Sequence, residues 1–433
     1  MSLFAGVARE QITPEIGGLL FGYNNHTHSQ AVHDNLNATA LVIKTNETSV
    51  LLLSLEVCLV AEVLSDEIRE KTKAAAGVEH VIVSCTHTHS GPNTAGFGRF
   101  GGFGDTDTNF TENILVPKCI AAAKAAASAM VPVKMGIGTT ESKVGINRRQ
   151  LLPDNTVKLG QNPWDPYDST MTVISFRGEC GKPVANLVHV GAHPTASGIN
   201  TEITRDWPGI MVDRMEAESG AMTLYVNGTQ GDIAPRMANG DSIGDINHAM
   251  EVGGLAGIDA VRAYKTIKTF YDEPLTVVCG ELNLPYVPPI PESDIPEMLV
   301  SAEGYKRASL EYLQTLYKSG DLGEEAWTFP QTIVRIGPVV MVPYPFEVSS
   351  EIGLRLRAYS PYAHTLLLSC TNGSHSYLPA QSQICRGGYE IESFRWFRPR
   401  QLPDNSDHML ISQNLGIIGK IKSAKHEPAT MRP

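Results

Sequence analysis

The chain has 433 residues, of which 42% are hydrophobic and 19% are charged, and its formal net charge is −11. This balance is typical of a globular protein with a large core. The chain has no extended cluster of basic residues, which argues against a nucleic-acid-binding surface. Its longest apolar stretch, residues 50–61, contains Ser54 and Glu56 and is too short to span a bilayer.

The cysteines and the N-terminus indicate the compartment. Seven cysteines without a C-x-x-C motif argue against a disulfide framework or a thiolate zinc site. The N-terminus lacks the basic segment and apolar run of a secretion signal. We therefore expect a cytoplasmic protein without a transmembrane segment or a nucleic-acid partner, and the sequence leaves a homo-oligomer open.

Strand-like and helix-like segments alternate along the chain. The predicted strands are Val50 to Val60, His80 to Cys85, Met171 to Arg177, Pro183 to Val190, Met222 to Val226, Leu275 to Leu284, Gln331 to Val342 and His364 to Cys370. The predicted helices are Glu62 to Ala76, Glu112 to Met130, Gly209 to Glu218, Asn247 to Tyr271, Pro296 to Ser319 and Phe346 to Tyr359. This alternation predicts an α/β fold of layered mixed β-sheets flanked by helices. We expect one domain over residues 1–433, with the proline-rich segment 285–296 as a candidate sub-boundary.

Two histidines follow the predicted strand His80 to Cys85. His87 and His89 are two residues apart, and Gly91-Pro92 then ends regular structure. In extended backbone, residues i and i+2 point to the same side, so the two imidazoles can converge. They can bind one metal together, or one can bind while the other transfers protons. The structural alternative is a pair of solvated loop histidines.

Other polar residues also lie just beyond predicted strand ends. They are His193, Asn227 to Asp232, Glu347 and Tyr377. In open α/β sheets, ligands collect beyond the carboxyl ends of the strands. The convergence of several such segments on one sheet edge is a stronger argument for a site than any of them alone.

Several motifs occur in an order that suggests a family. They are Gln11 to Pro14 with Phe21 to Tyr23, Thr86 to Pro92, Ile146 to Arg148, Val190 to Thr195, Asn227 to Pro235, Pro345 to Glu347 with Gly353 to Arg355, and Asn372 to Tyr377 with Tyr389-Glu390. The series resembles the catalytic domain of the neutral (non-lysosomal) ceramidases, a family of zinc amidases. The Thr-His-Thr-His-Ser-Gly-Pro motif is the most specific of these blocks.

The resemblance implies one zinc ion per chain, bound by His87, His193, Glu347 and Tyr377. Two imidazoles and a carboxylate would leave a coordination position open for water or substrate, and a phenol oxygen is an unusual further ligand. The residues alone leave structural alternatives open. These are His193 as a cap at a strand end, Glu347 as an acid in the first turn of a helix, and Tyr377 as an interface tyrosine.

The resemblance also implies the residues that act on the substrate. His89 would hydrogen-bond the reacting water or the leaving group, and Arg148 and Tyr389 would stabilise the developing oxyanion. The alternatives are a solvated pair of Arg148 and Arg149, and packing of Tyr389 beside neighbouring aromatic residues.

The expected substrate-binding wall comprises Gly231, Asp232 and Ala234, with Asp232 as an orienting group. A glycine-rich loop from Gly96 to Gly104 is expected to rim the pocket and to gate entry.

The chain departs from the family pattern at Ala234, where ceramidases have a serine. An acyl-serine route through this position is excluded, because alanine has no hydroxyl. Attack by zinc-activated water requires no serine. No C-terminal immunoglobulin-like domain is expected, since few residues follow the last motif. These departures argue against ceramide and favour another linear amide, an ester or a lactone.

Two alternatives compete with a zinc hydrolase of this kind. Metallo-β-lactamase-like enzymes also begin their motif with H-x-H, but their motif continues with Asp-His, whereas Ser90-Gly91-Pro92 follows here. The other alternative is a non-catalytic, zinc-containing protein that binds a ligand. The presence of His89, Arg148 and Tyr389 favours chemistry, because metal scaffolding alone requires none of them. We therefore expect hydrolysis of a small-molecule amide or ester.

Overall fold

The computed structural model of the chain describes residues 2–23, 26–97 and 104–421. Within these ranges the strands are β1 (Leu3–Gln11), β2 (Leu20–Phe21), β3 (Ala31–Val32), β4 (Asn37–Lys44), β5 (Ser49–Leu55), β6 (His80–Cys85), β7 (Gly91–Pro92), β8 (Val131–Glu141), β9 (Gly145–Leu151), β10 (Val157–Asn162), β11 (Thr170–Arg177), β12 (Pro183–Val190), β13 (Glu202–Ile203), β14 (Met222–Asn227), β15 (Ile233–Pro235), β16 (Leu275–Pro285), β17 (Ala326–Ile336), β18 (Val339–Pro343), β19 (Glu347–Val348), β20 (His364–Leu368) and β21 (Tyr377–Leu378).

The α-helices of the same ranges are α1 (Glu62–Ala76), α2 (Thr108–Phe110), α3 (Val116–Ser128), α4 (Asp206–Ser219), α5 (Ile246–Thr266), α6 (Ile295–Val300), α7 (Gly304–Ser319), α8 (Ser350–Tyr359), α9 (Gln381–Ile384), α10 (Tyr389–Trp396) and α11 (Ser406–Ile418). A π-helical turn, Thr111–Leu115, joins α2 to α3, and a short 3-10 helix spans Glu179–Gly181.

The largest sheet contains eight strands in the order β14-β12-β11-β8-β1-β4-β5-β6. The end pairs β12–β14 and β5–β6 are parallel, and the pairs between them are antiparallel. The two ends of the sheet contact each other, since the Ser54 hydroxyl on β5 donates to Tyr225 O on β14 at 2.6 Å. Asn227 Nδ2 also donates to Thr86 O at 3.1 Å. These contacts bring the segment after β6 beside the segments after β12 and β14.

A second sheet, β16-β17-β18-β20, packs on the first. Ile43 and Leu187 of the large sheet share one core with Val334 and Met341 of the second. Helices α1 and α3 pack against strands of the large sheet, α4 and α5 cover its β11–β14 end, and α8, α10 and α11 cover the second sheet. The fold is therefore α/β, with mixed sheets flanked by helices, as the sequence predicts.

Several element predictions agree with the structure and several do not. Helix α1 and strands β6 and β12 have the predicted bounds. The predicted strand Gln331 to Val342 is wrong, because a turn at residues 337–338 divides it into β17 and β18. The predicted helix Pro296 to Ser319 is also wrong, since α6 ends at Val300 and α7 begins at Gly304.

Two corrections concern segments near the predicted site. The strand predicted over Val50 to Val60 ends at Leu55, and the following residues form an irregular segment. The helix predicted to begin at Phe346 begins at Ser350 instead, and Glu347 lies in strand β19. The alternative interpretation of Glu347 as an acid in the first turn of a helix is therefore wrong.

The predicted glycine-rich loop falls largely on residues 98–103, which lie outside the described ranges. Among the described residues, no helix is long and apolar enough to cross a membrane.

Candidate metal centre

Three side chains with metal-ligating atoms meet in the interior. Nε2 of His193 lies 3.0 Å from Oε2 of Glu347, and Nε2 of His87 lies 3.3 Å from the same oxygen. The three residues are almost fully buried. The structure thus brings together His87, His193 and Glu347, which the sequence places far apart.

Each of these residues is fixed by a backbone hydrogen bond to a segment remote in sequence. The amide of His87 donates to Val57 O at 3.0 Å, and the amide of His193 donates to Ile233 O at 2.9 Å. The amide of Glu347 donates to Ser376 O at 2.9 Å. The donor positions therefore depend on the packing of several loops and not on one local motif.

The backbone at His87 differs from the sequence-based expectation. The prediction assumed extended backbone, but φ of His87 is 77°. A left-handed conformation is costly for a non-glycine residue and persists where the surrounding structure imposes it, often at functional sites. His87 and His89 do converge, with 3.2 Å between their Nε2 atoms, but a left-handed residue and not strand periodicity brings them together.

The second nitrogen of each ligand-type histidine is held by a carbonyl group. Nδ1 of His87 lies 2.9 Å from Cys58 O, and Nδ1 of His193 lies 2.7 Å from Gln230 O. Because a carbonyl oxygen only accepts hydrogen bonds, each Nδ1 carries a proton, and each Nε2 is the nitrogen that would bind a metal. The indole of Trp207 also donates to His193 O at 3.0 Å.

The spacing and charge of the three donors fit a cation. Ligand atoms bound at about 2.0–2.1 Å in a tetrahedral zinc site lie roughly 3.3 Å apart, close to the spacing observed here. Burial would raise the pKa of Glu347, but His87 and His193 hold it well below its ordinary value. Burial, with the charge of Arg148, lowers the pKa of His193 to about 4, which keeps that imidazole neutral.

The pKa of His87 also indicates that the donor cluster favours a positive charge. Burial would lower the pKa of His87, but Cys370 and Glu347 outweigh burial and raise the pKa to about 10. Without a metal, the buried carboxylate of Glu347 is thus balanced by a protonated imidazole. A bound cation would supply that charge in its place.

Arg148 connects the donor cluster to a buried ion-pair network. Its Nη2 donates to Tyr377 Oη at 3.0 Å, and its Nε donates to Glu390 at 2.8 Å. Arg149 donates to the other oxygen of Glu390 at 2.6 Å. Because Arg148 and Arg149 are both buried, the interpretation of them as a solvated surface pair is wrong.

Tyr377 and Tyr389 extend this cluster with two phenol rings. The ring of Tyr377 stacks on His193 with 6.4 Å between centroids, and its edge-to-face contact with Tyr389 spans 5.5 Å. Burial, followed by the charge of Glu347, raises the pKa of Tyr377 well above its ordinary value. Tyr377 is also joined to Glu347 through the β19–β21 pair, which explains why the two residues lie together.

His89 occupies a tight position beside the donors. A Cβ atom at Gly22 would lie 2.4 Å from the His89 ring, so the ring requires a glycine there. The Tyr23 ring also contacts His89 edge to face, with 4.8 Å between centroids. Burial, together with His87 and His193, lowers the pKa of His89 well below its ordinary value. His89 is therefore a neutral base next to the candidate metal site.

Two cavities adjoin these residues. The outer chamber has a volume of about 240 Å³, and its lining includes Tyr23, His89, Arg148, Tyr305, Tyr377 and Tyr389. The inner cavity has about 30 Å³, and its lining includes Cys58, His87, His89, Glu347, Tyr377 and Tyr389. The lining shared by both cavities marks the place where a ligand in the chamber would meet the donor atoms.

Comparison with known protein families shows which family the chain belongs to. The model for neutral/alkaline non-lysosomal ceramidases, N-terminal, matches residues 4–246, which is more than half of the sequence. The chain belongs to this family. It is thus a ceramidase-family hydrolase domain, and the family acts on amide bonds.

Solved structures show the same fold. The structure is similar to neutral ceramidase from Pseudomonas aeruginosa, with a TM-score of 0.76 and 16% identity over 96% of this chain and 74% of that chain. It is also similar to a ceramidase complexed with C2, with a TM-score of 0.74 and 16% identity over 96% of this chain and 75% of that chain. No curated protein sequence matches the chain.

The residues expected to bind substrate in this ceramidase-family chain, Gly231, Asp232 and Ala234, are buried next to the metal-donor residues. A Cβ atom at Gly231 would lie 2.5 Å from Glu347 O, so Gly231 packs against the backbone of that donor. Asp232 and Ala234 are both 0% exposed. Asp232 accepts hydrogen bonds from Ser350 N, Asn147 Nδ2 and Gln383 Nε2, while burial raises its pKa to about 6. This placement favours a supporting role for these residues over contact with substrate.

Two residues have roles in the site that the sequence does not predict. Glu390 stands in the sequence only within a motif, but its carboxylate joins Arg148 to Arg149. Tyr23 likewise stands only in the Phe-Gly-Tyr block, but it contacts His89. Their presence within the family motifs was the available signal, but neither role follows from spacing, because both depend on contacts between distant segments.

Proposed function

We propose that the chain is a zinc-dependent hydrolase that cleaves a linear amide, or an ester, and that ceramide is not its substrate. The observation that carries this proposal is the donor cluster of His87, His193 and Glu347, whose free nitrogen and oxygen atoms meet beside His89. The family assignment supports hydrolysis of amide bonds, and the donor types and their spacing support zinc.

His87, His193 and Glu347 would hold the zinc ion, with Tyr377 as the fourth ligand. When bound, zinc acts as a Lewis acid and lowers the pKa of water toward about 7. His89 accepts a proton from the attacking water and returns it to the leaving group, a role that suits a neutral imidazole. Arg148 and Tyr389 donate hydrogen bonds to the substrate oxygen as negative charge develops there.

The alanine at position 234 supports a mechanism without an acyl-serine intermediate. Ala234 is fully buried and pairs with Ile146 in the strand pair β9–β15. Its side chain has no hydroxyl and cannot form an ester with an acyl group. The chemistry is therefore assigned to His89, Arg148 and Tyr389, which all line the outer chamber.

We also propose a single catalytic domain in the cytoplasm. Leu282 and Leu284, which precede the proline-rich segment, pack in one core with Phe346, which follows it. This shared core argues against a boundary at 285–296. All seven cysteines are free thiols, which supports a reducing compartment.

The alternative is a non-catalytic protein that binds zinc and a ligand, and the observation that favours it is Ala234. Elemental analysis of protein purified without added metal is the first test. The proposal expects about one zinc per chain, and a chain that neither contains nor takes up metal would contradict it.

A panel of simple amides and esters separates the two functions. Hydrolysis that His89→Ala abolishes, with zinc retained, supports catalysis. A zinc-loaded wild type that hydrolyses no member of the panel supports the binding protein.

A further inference from the structure

The size of the outer chamber restricts the ligand. Its volume of about 240 Å³ is below the ~300–1,000 Å³ of ordinary small-molecule pockets. The inner cavity, at about 30 Å³, holds little more than a water molecule or a carbonyl oxygen. The described walls thus have room for a compact molecule but not for two long alkyl chains.

The chamber wall also carries several polar groups between its apolar surfaces. Phenol, hydroxyl, imidazole and guanidinium groups lie among the tyrosine rings, and Leu159 and Ile243 supply the aliphatic side chains among the described lining residues. An alkyl chain in this chamber would leave buried polar groups without hydrogen bonds, at a cost for each. The wall therefore favours a ligand that carries hydrogen-bonding groups.

Several polar atoms of the wall lack a partner within the described part of the chain. The Tyr23 hydroxyl and Nδ1 of His89 are buried without a hydrogen bond. Arg148, on the same wall, uses Nε and Nη2 for Glu390 and Tyr377. Buried unpaired groups are rare in folded proteins. These atoms are expected to find their partners on a bound ligand.

We infer that the substrate is a compact, polar amide or ester, with a short acyl group and a leaving group that carries a hydroxyl or a similar hydrogen-bonding group. This inference rests on the proposed hydrolase function. The Tyr23 hydroxyl is assigned to the polar group of the substrate, and the walls formed by Leu159 and Ile243 limit its length.

An acyl series on one polar amine tests the length limit. Zinc-loaded protein is assayed with N-acetyl-, N-butyryl- and N-octanoylethanolamine, and the released ethanolamine is measured. We expect kcat/KM for the octanoyl amide to be at least tenfold lower than for the acetyl amide. Equal or higher kcat/KM for octanoyl overturns this inference but leaves the hydrolase function intact. No hydrolysis of any member, nor of p-nitrophenyl acetate, overturns both.

Variants of the wall test whether the chamber sets the limit. Leu159→Ala and Ile243→Ala enlarge the chamber, and each is expected to raise the octanoyl-to-acetyl ratio of kcat/KM about tenfold. Leu151→Ala is the control, because Leu151 is exposed on the same hairpin and does not line the chamber. An unchanged ratio in both folded chamber variants overturns the assignment of the limit to this wall.

A matched substrate pair tests the polar contact. N-acetylethanolamine and N-propylacetamide have almost the same size, but only the first carries a hydroxyl. Wild type is expected to prefer the hydroxyl substrate at least tenfold in kcat/KM, and Tyr23→Phe is expected to remove most of this preference through KM. Equal use of both substrates by wild type overturns the polar part of the inference.

Discussion

Among the buried charges outside the donor cluster, Glu390 is the one whose removal is expected to reduce stability the most. Its side chain is 1% exposed and joins Arg148 and Arg149, which are themselves buried. Glu390→Gln preserves the shape of the side chain but removes its charge, and it turns one acceptor into a donor that faces a guanidinium group. Two buried cations then lose their shared counter-ion.

The structure sets the expected loss of stability in Glu390→Gln. Removal of one partner from a buried ion pair costs about 3–5 kcal/mol. The two arginines keep one acceptor each, since Arg149 also donates to Gly387 O at 2.6 Å and Arg148 to Tyr377 at 3.0 Å. We therefore expect a loss near the lower limit, about 3 kcal/mol in the free energy of unfolding. We also expect kcat/KM to fall at least tenfold, because Glu390 orients Arg148 toward the chamber.

Urea unfolding at pH 7 measures the stability change, and zinc analysis of the folded variant shows whether the donors survive. Glu325→Gln is the matched control. Glu325 also accepts hydrogen bonds from both terminal nitrogens of an arginine, Arg400, but its side chain is 89% exposed. An exposed pair of this kind contributes little, so no measurable change is expected. A loss for Glu390→Gln as small as that for the control would refute the argument.

The ion pairs of Glu390 with Arg148 and Arg149 also predict how the stability depends on pH. Burial would raise the pKa of Glu390, but Arg148 and Arg149 hold it below its ordinary value. A depressed carboxylate pKa stabilises the fold above the pKa of the unfolded state, and this stabilisation is lost as pH falls through the folded-state pKa. The stability difference between wild type and Glu390→Gln should therefore shrink on acidification.

Three further predictions test other parts of the structure. His87→Ala should reduce zinc from about one per chain to less than roughly a tenth, by elemental analysis, because a donor is lost. Ala234→Ser should leave kcat within a few-fold of wild type. It should lower the free energy of unfolding, measured in urea, by about 1–3 kcal/mol, because the buried hydroxyl needs a partner. A large gain in kcat would contradict the serine-independent mechanism. Burial raises the pKa of Glu56 to about 7, so stability should fall as pH rises from about 4.5 to 7. Glu56→Gln should remove this dependence and add up to about 3 kcal/mol at pH 8; an equal effect at pH 4 and pH 8 would count against it.

The local parts of the fold were predictable from local sequence. Helix α1 and strand β6 combine a clear apolar pattern with clear end signals, so their bounds were predicted correctly. Strands β1, β4 and β8, which occupy the middle of the large sheet, were not predicted. Their place in the sheet depends on pairing with strands far away in the chain, and this pairing leaves no periodic signal in the sequence.

The site could be predicted only in part. The motif order suggested His87, His193 and Glu347, and the structure brings them together. Their geometry depends on features that the sequence does not display, such as the left-handed backbone at His87. The pairing of Arg148 and Arg149 through Glu390 was also invisible, because two adjacent arginines usually lie in solvent.

The fixed donors and the buried alanine at position 234 show which side chains the donor geometry depends on. The donors are tied through Val57, Ile233 and Ser376, and none of these backbone bonds involves a side-chain hydroxyl at position 234. The side chain of Ala234 therefore takes no part in these bonds that hold the donors. Within the described ranges, Nδ1 of His89 and the Tyr23 hydroxyl lack a partner, so they join Arg148 and Tyr389 as groups that can meet a ligand. We therefore expect the wall of the outer chamber to set selectivity, so that a change of substrate requires a change of wall and not of donors.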